Sequence, residues 1–105
     1  MRWLYHVAPR ASVPSSATYA PASLGTEGFI HASYRDHVVE SAQLYFPADA
    51  DLVVLQIDPR ELTARVEVVE TPRGSMPHVH GAIRREAVHA VLELSDVESA
   101  PDGVA

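Results

Sequence analysis

"DLVVLQID", residues 51–58, is the stretch on which the fold turns. Five of its eight side chains are aliphatic, in a nearly continuous run closed by aspartate at each end. A strand with one wet face alternates apolar and polar residues. A run like this one is expected of a central strand buried on both faces. "PREL" directly after it reads as a turn or a single helical turn.

Other elements fall on either side of this strand. "ARVEVVE", Ala64 to Glu70, alternates with Val66 and Val68 facing one way, as in a half-buried strand. "TPRGSMP" after it reads as loop. In "AVHAVLELS", Ala87 to Ser95, Val88, Ala90, Leu92 and Leu94 share a face. Upstream, "RWLYHVA", Arg2 to Ala8, is short, aromatic-rich and closed by Pro9, which reads as a first strand. Pro9 to Gly28 carries proline, serine, alanine and glycine at loop density, and a loop that long in a compact domain frames a site or is disordered.

Ser33 followed by Asp36 has capping-box spacing. Behind them Val38, Val39, Ala42, Tyr45 and Phe46 recur at helical intervals until Pro47, so the spacing predicts a helix over Tyr34 to Phe46. The expectation is a single α+β domain over residues 1–105, a small mixed or antiparallel sheet of four or five strands with one main helix. Its core would span residues 2–95, with a frayed polar tail over 96–105.

The 105 residues suffice to bury ~60–70% of the unfolded surface without covalent staples. Zero cysteines remove disulfides, thiolate nucleophiles and sulfur-based zinc sites. A formal net charge of -6 argues against long nucleic acid as a partner. No apolar run approaches the ~20 residues that cross a bilayer, and the N-terminus has no cleavable-signal pattern. A cytoplasmic protein with a small-molecule partner and no membrane partner is the expectation, and oligomeric state is open.

Six histidines carry the chemistry-bearing pattern. His37, in the first turn of the expected helix, and His89, opposite the apolar face of the last strand, fit structural roles. His6, His31 and His78 lie at strand ends or beside loops, where site residues collect. Imidazole serves as acid, base or donor near neutral pH, so these three are expected to share a cleft. Glu27 and His31, in "EGFIHAS", could meet in one pocket, with Phe29 and Ile30 anchoring the segment and Gly28 allowing a turn or close backbone approach. Ser33 is better explained as a helix cap than as a nucleophile. His78 and His80 straddle Val79 and project to one side of an extended chain. With His31 they could form a three-histidine metal site, but cysteine and an acidic ligand set are lacking, so no metal is the leading expectation. No P-loop, G-x-G-x-x-G or G-x-S-x-G motif is present.

"YHVAP", "SLGTEGFIHAS", "DLVVLQIDPREL" and "MPHVHGAI", in that order, resemble a bacterial family known as domain of unknown function nine hundred and fifty-two. The resemblance covers about Leu4 to Leu94 and singles out His6, Ser23, Leu24, Glu27, Gly28, Phe29, His31, Ser33, Pro77, His78 and Gly81. It departs from the family at His80, where tyrosine is usual, and in "RASVPSSATYAP", which lacks the usual tryptophan. The family looks related to the ADP-ribosyltransferase-like fold, which implies NAD as a possible cofactor, with His6 holding the nicotinamide ribose. A glutathione S-transferase label sometimes given to such proteins gains no support from so short a chain.

The expected function is that of a small enzyme acting on a nucleotide or other small polar metabolite. Catalysis would fall to His31, His78 and Glu27, and ligand binding to His6, Gly28, Ser23 and His80. The alternatives are a non-catalytic small-molecule-binding module and a metal-dependent enzyme using His31, His78 and His80.

Overall fold

The computed structural model describes residues 1–13 and 18–104. Among them the order is β1 (Leu4–Pro9), α1 (Ala22–Glu27), β2 (Ile30–His31), α2 (Val38–Tyr45), β3 (Leu52–Ile57), β4 (Arg65–Thr71), β5 (Gly74–His80) and β6 (Val88–Glu93), with short 3-10 turns between several of them. The strands form two antiparallel sheets, ordered β1-β3-β6 and β2-β5-β4. The architecture is α+β with one main helix, α2.

β3 takes the middle of its sheet because both its faces find apolar cover. Val53, Val54, Leu55 and Ile57 are all at most 2% exposed. Full burial of such a side chain stabilises by about 1.5–3 kcal/mol, more than a strand with one wet face gains. Leu55 and Ile57 pack with Leu4, Ile30, Val79 and Ile83, which joins this sheet to the second one. Val54 packs on the opposite side with Tyr5, Val38, Ala42 and Val97, from β1, α2 and the C-terminal segment. The two sheets meet at one bridge, where Tyr5 and Ser33 exchange both backbone hydrogen bonds, at 2.8 and 2.7 Å.

Several expectations are corrected. Ser33 does not cap a helix. Its backbone is committed to Tyr5, its side chain is buried, and its Oγ lies 3.0 Å from Ser41 Oγ on α2. The helix itself opens as a 3-10 turn over Arg35–His37 and becomes α-helical only at Val38. The segment read as loop contains α1, a six-residue helix with an internal glycine. Intrinsic propensity is poor there, and the helix owes its formation to Leu24 packing on the core and to Gly28, which closes it at φ 84°. The rest of that loop includes residues 14–17, which lie outside the described residues.

"TPRGSMP" is likewise not all loop, because β5 starts at Gly74 and runs through Pro77 in the middle of its sheet. Proline normally argues against a central strand, since it lacks a ladder donor. Here Pro77 still accepts from Ala32 N at 3.1 Å just past the end of the two-residue β2, so its missing N–H falls where the ladder ends. Val66 and Val68 do share a face, but β4 is an edge strand and Val68 is 51% exposed beyond the core.

The tail is docked. Val97 and Ala100 are buried, Trp3 N donates to Asp102 O and Val104 N to Met1 O. Arg2 grips Asp102, and the Tyr5 hydroxyl donates to the Pro101 carbonyl. Its polar composition hid these contacts, most of which use backbone atoms. Among the described residues, no helix is long and apolar enough to cross a membrane.

Candidate functional site

A cleft of about 1200 Å³ opens beside the Tyr5–Ser33 bridge, where β1 and β2 part. β1 contributes His6, α1 contributes Ser23 and Glu27, β2 His31, α2 Ser41 and Tyr45, and β5 Met76 and His78. The β4–β5 turn closes one side with Thr71 and Arg73.

His6 is at the inner wall and 8% exposed. Its Nδ1 is 2.5 Å from the His31 carbonyl and its Nε2 is 2.9 Å from the Tyr19 hydroxyl. A carbonyl can only accept, so Nδ1 carries the proton and Nε2 of the neutral ring accepts from Tyr19. Burial pushes the His6 pKa down, which fits that neutral form, and burial likewise pushes the Tyr19 pKa up. His6 therefore joins β1 to β2 and fixes Tyr19, and both its ring nitrogens are taken within the protein. The ribose contact that the resemblance implies for His6 would require breaking one of these bonds.

His31 presents the opposite case. Its side chain is 44% exposed, and Nε2 lies 2.5 Å from the Glu27 carboxylate. α1 ends at Glu27 and β2 begins at Ile30, so the Gly28 turn brings residues 27 and 31 together. An imidazole held through Nε2–H by a carboxylate turns its Nδ1 outward as a base, oriented in one tautomer.

His78 sits opposite His31 in the β2–β5 ladder, their ring centroids 5.6 Å apart and nearly perpendicular. Phe29 stacks flat on His78 at 4.1 Å and touches His31 edge-on at 4.8 Å. Ile30 is fully buried on the core side, whereas Phe29 supports the histidine side. Partial burial lowers the His78 pKa, with the charge of His31 acting in the same direction. A neutral His78 beside an oriented His31 gives two imidazoles in different environments, the condition for splitting acid and base roles.

Of the residues expected from sequence, His6, Ser23, Glu27, His31 and His78 line the cleft. Gly28 does not: its role is the turn, since no atom lies within 4 Å of where a Cβ would stand and its φ is positive. His80 does not either: it shares the face of β5 that carries His78, but its Nε2 lies 3.0 Å from Glu67 and it is not among the cleft's lining residues. Among the described residues, no group of three or more histidines and carboxylates is gathered for a metal, so His31, His78 and His80 do not make one ligand set. His37 packs against Gly74 and His89 against Trp3.

Tyr19, Ser41, Tyr45 and Arg73 are cleft residues that sequence reading missed. Tyr19 lies between prolines in an irregular segment, where no periodicity points to burial, and its position is set by backbone pairing with Ile83. Arg73 sits at a hairpin tip and is drawn in by Glu40, 2.6 Å away on α2.

No curated protein matches the chain. Two solved structures of protein CC0527 from Caulobacter crescentus, one of them of a double mutant, share the fold. Each has a TM-score of 0.75 over 87% of this chain and 84% of that one, with 21% identity for the double mutant and 22% for the other. One family, described as "Protein of unknown function (DUF952)", matches residues 7–91, a span that holds Glu27, His31 and His78, and the chain belongs to that family.

Proposed function

We propose that this protein is a small enzyme that acts on a nucleotide or other small polar metabolite by histidine acid–base chemistry in the cleft. The observation that carries the reading is the Glu27–His31 pair at the cleft wall, 2.5 Å apart, with His78 facing it across the β2–β5 ladder. In this reading His31 Nδ1 takes a proton from the attacking group, and Glu27 holds the ring and stabilises the imidazolium that forms. His78 donates a hydrogen bond from its N–H to the leaving or developing anionic atom. Tyr19, fixed by His6, shapes the inner end. Membership of the ADP-ribosyltransferase-like fold group belongs to the same proposal. It is supported by two three-stranded antiparallel sheets that meet at one bridge, with a first-strand histidine beside the cleft.

The test is a paired measurement on His31→Ala, a melting curve with binding and turnover assays on ligands found by thermal-shift screening. Loss of a positioned acid or base costs about 10²–10⁴-fold in turnover. The ring is 44% exposed, so stability should fall by less than ~2 kcal/mol. An unfolded variant would make His31 structural. A stable variant with unchanged binding and turnover would remove this stretch from the site. Ligand binding by the parent chain with no turnover of any bound ligand would favour a non-catalytic binding module.

A further inference from the structure

The hydrogen bonds at the inner end of the cleft run in one direction. The His31 carbonyl can only accept, and it receives the His6 Nδ1–H at 2.5 Å. Nε2 of that neutral ring has no proton to give, so at 2.9 Å it accepts from the Tyr19 hydroxyl. A phenol has one proton, and here it is committed. What Tyr19 keeps for a ligand is the remaining lone-pair capacity of its oxygen, and Tyr19 lines the cleft together with His6. A hydroxyl that donates is polarised by doing so and accepts more strongly.

The surroundings hold this polarity. The backbone of Tyr19 is bonded to Ile83 in both directions, at 2.8 and 2.9 Å, and its ring lies tilted against the imidazole with centroids 5.2 Å apart. Burial keeps His6 toward its neutral form and Tyr19 a protonated phenol. A serine or threonine hydroxyl turns about its own bond to give or accept as a ligand requires. The Tyr19 hydroxyl cannot do so without abandoning a buried His6. Val7, Ala20 and Pro21, chain neighbours of the pair, line the same cleft, and in such apolar company an unmatched polar group or a bare charge is costly.

We propose that Tyr19 is a specificity-determining residue of the cleft, an acceptor-only group that takes a ligand whose inner end carries a neutral O–H or N–H donor. An ether, ester, carboxylate or phosphate at that end meets lone pairs with lone pairs and is turned away. This rests on the cleft being the functional site, as proposed above, and it narrows the small polar metabolite to one that enters donor first.

The experiment is nuclear magnetic resonance on the full chain at neutral pH, in two parts. The first reads the tautomer of the His6 ring from its nitrogen-15 shifts; the proton is expected on Nδ1. The second titrates matched fragments, phenol against anisole and indole against N-methylindole, following the signals of Tyr19 and His6. In each pair methylation removes the one donor and keeps the ring. The donor member should bind about fivefold tighter, the worth of one hydrogen bond, and Tyr19→Phe should bring each pair to within about twofold. Where that variant does not fold, the tautomer and the preference of the parent chain decide. A proton on Nε2, equal binding within the pairs, a preference that survives in Tyr19→Phe, or no shift from either donor fragment up to about 10 mM overturns the inference. If the pairs are not discriminated but His31→Ala abolishes turnover of a screened ligand, the inference falls while the enzymatic reading stands. If they are discriminated and His31→Ala leaves turnover intact, the enzymatic reading falls and the inference stands.

Discussion

Two histidines 25 residues apart share one contact and have opposite characters. His6 gives its Nδ1 proton to the backbone carbonyl of His31, while the His31 ring turns away to Glu27. The buried one is held by the fold through both ring nitrogens, and the exposed one lines the cleft. This difference has a measurable pH signature. The unfolded chain takes up a proton at each histidine near pH 6.5, whereas burial depresses the folded-state pKa of His6 and of His78. The stability they confer is therefore full above about pH 6.5 and is lost as the pH falls through the folded values. Asp58 and Asp102, also depressed, act below 3.8, so they do not confuse this window. Denaturant unfolding between pH 7 and 5 should show stability declining toward acid, and His6→Asn should make the decline shallower. An equal slope in both proteins would mean that His6 is not held neutral.

At the scale of elements, the junction between β2 and α2 is where local sequence rules gave way. Ser33 and Asp36 satisfy the spacing of a capping box, yet Ser33 spends its backbone on Tyr5 and its hydroxyl on Ser41. The bridge fixes the first sheet to the second, and the buried Ser33–Ser41 bond fixes the helix to both. Ser33→Ala and Ser41→Ala each leave one buried hydroxyl without its partner, at a cost of about 1–3 kcal/mol. Because both remove the same bond, the double variant should cost clearly less than the sum of the two. Full additivity in denaturant unfolding would show that the hydroxyls act independently, and a helix-cap role for Ser33 would then return.

Over the whole molecule, the two chain ends hold each other. Residues 97–104 close one face of the first sheet, with Val97 in the core beside Val54, and Asp102 pairing with Arg2. The Tyr5 hydroxyl is the buried link: it accepts from Gln56 at 3.0 Å and donates to the Pro101 carbonyl at 2.5 Å. Removing residues 101–105 leaves that proton without an acceptor and frees the backbone of Trp3. The loss should be about 1–3 kcal/mol from the hydroxyl alone, read as a lowered melting temperature. Unchanged melting would show that the tail is an appendage to the fold. Ligand binding by the truncated chain, measured below its melting point, should persist, since no described residue of this segment lines the cleft.

Elements whose pattern is local could be read from the chain unaided. "DLVVLQID" declares a doubly covered strand because continuous aliphatic character has no other economical use at that length, and β3 is the central strand of its sheet. The period-two runs gave β4 and β6, and helical spacing gave α2 with an error of a few residues at its start. "EGFIHAS" suggested that Glu27 and His31 meet, but through the shared face of one strand; the structure joins them instead across the end of α1 and the Gly28 turn.

What needed the folded chain was everything set by a distant partner. α1 is too short and too weak in propensity to declare itself before Leu24 meets the core. β5 violates the rule against central proline and is permitted only because β2 stops beside Pro77. Tyr19 and Arg73 enter the cleft through Ile83 and Glu40, partners far away in the sequence. The charge of the cleft follows from the same cause. Composition gives the net -6 of the chain, but only the fold selects which carboxylate and which arginine line the cleft.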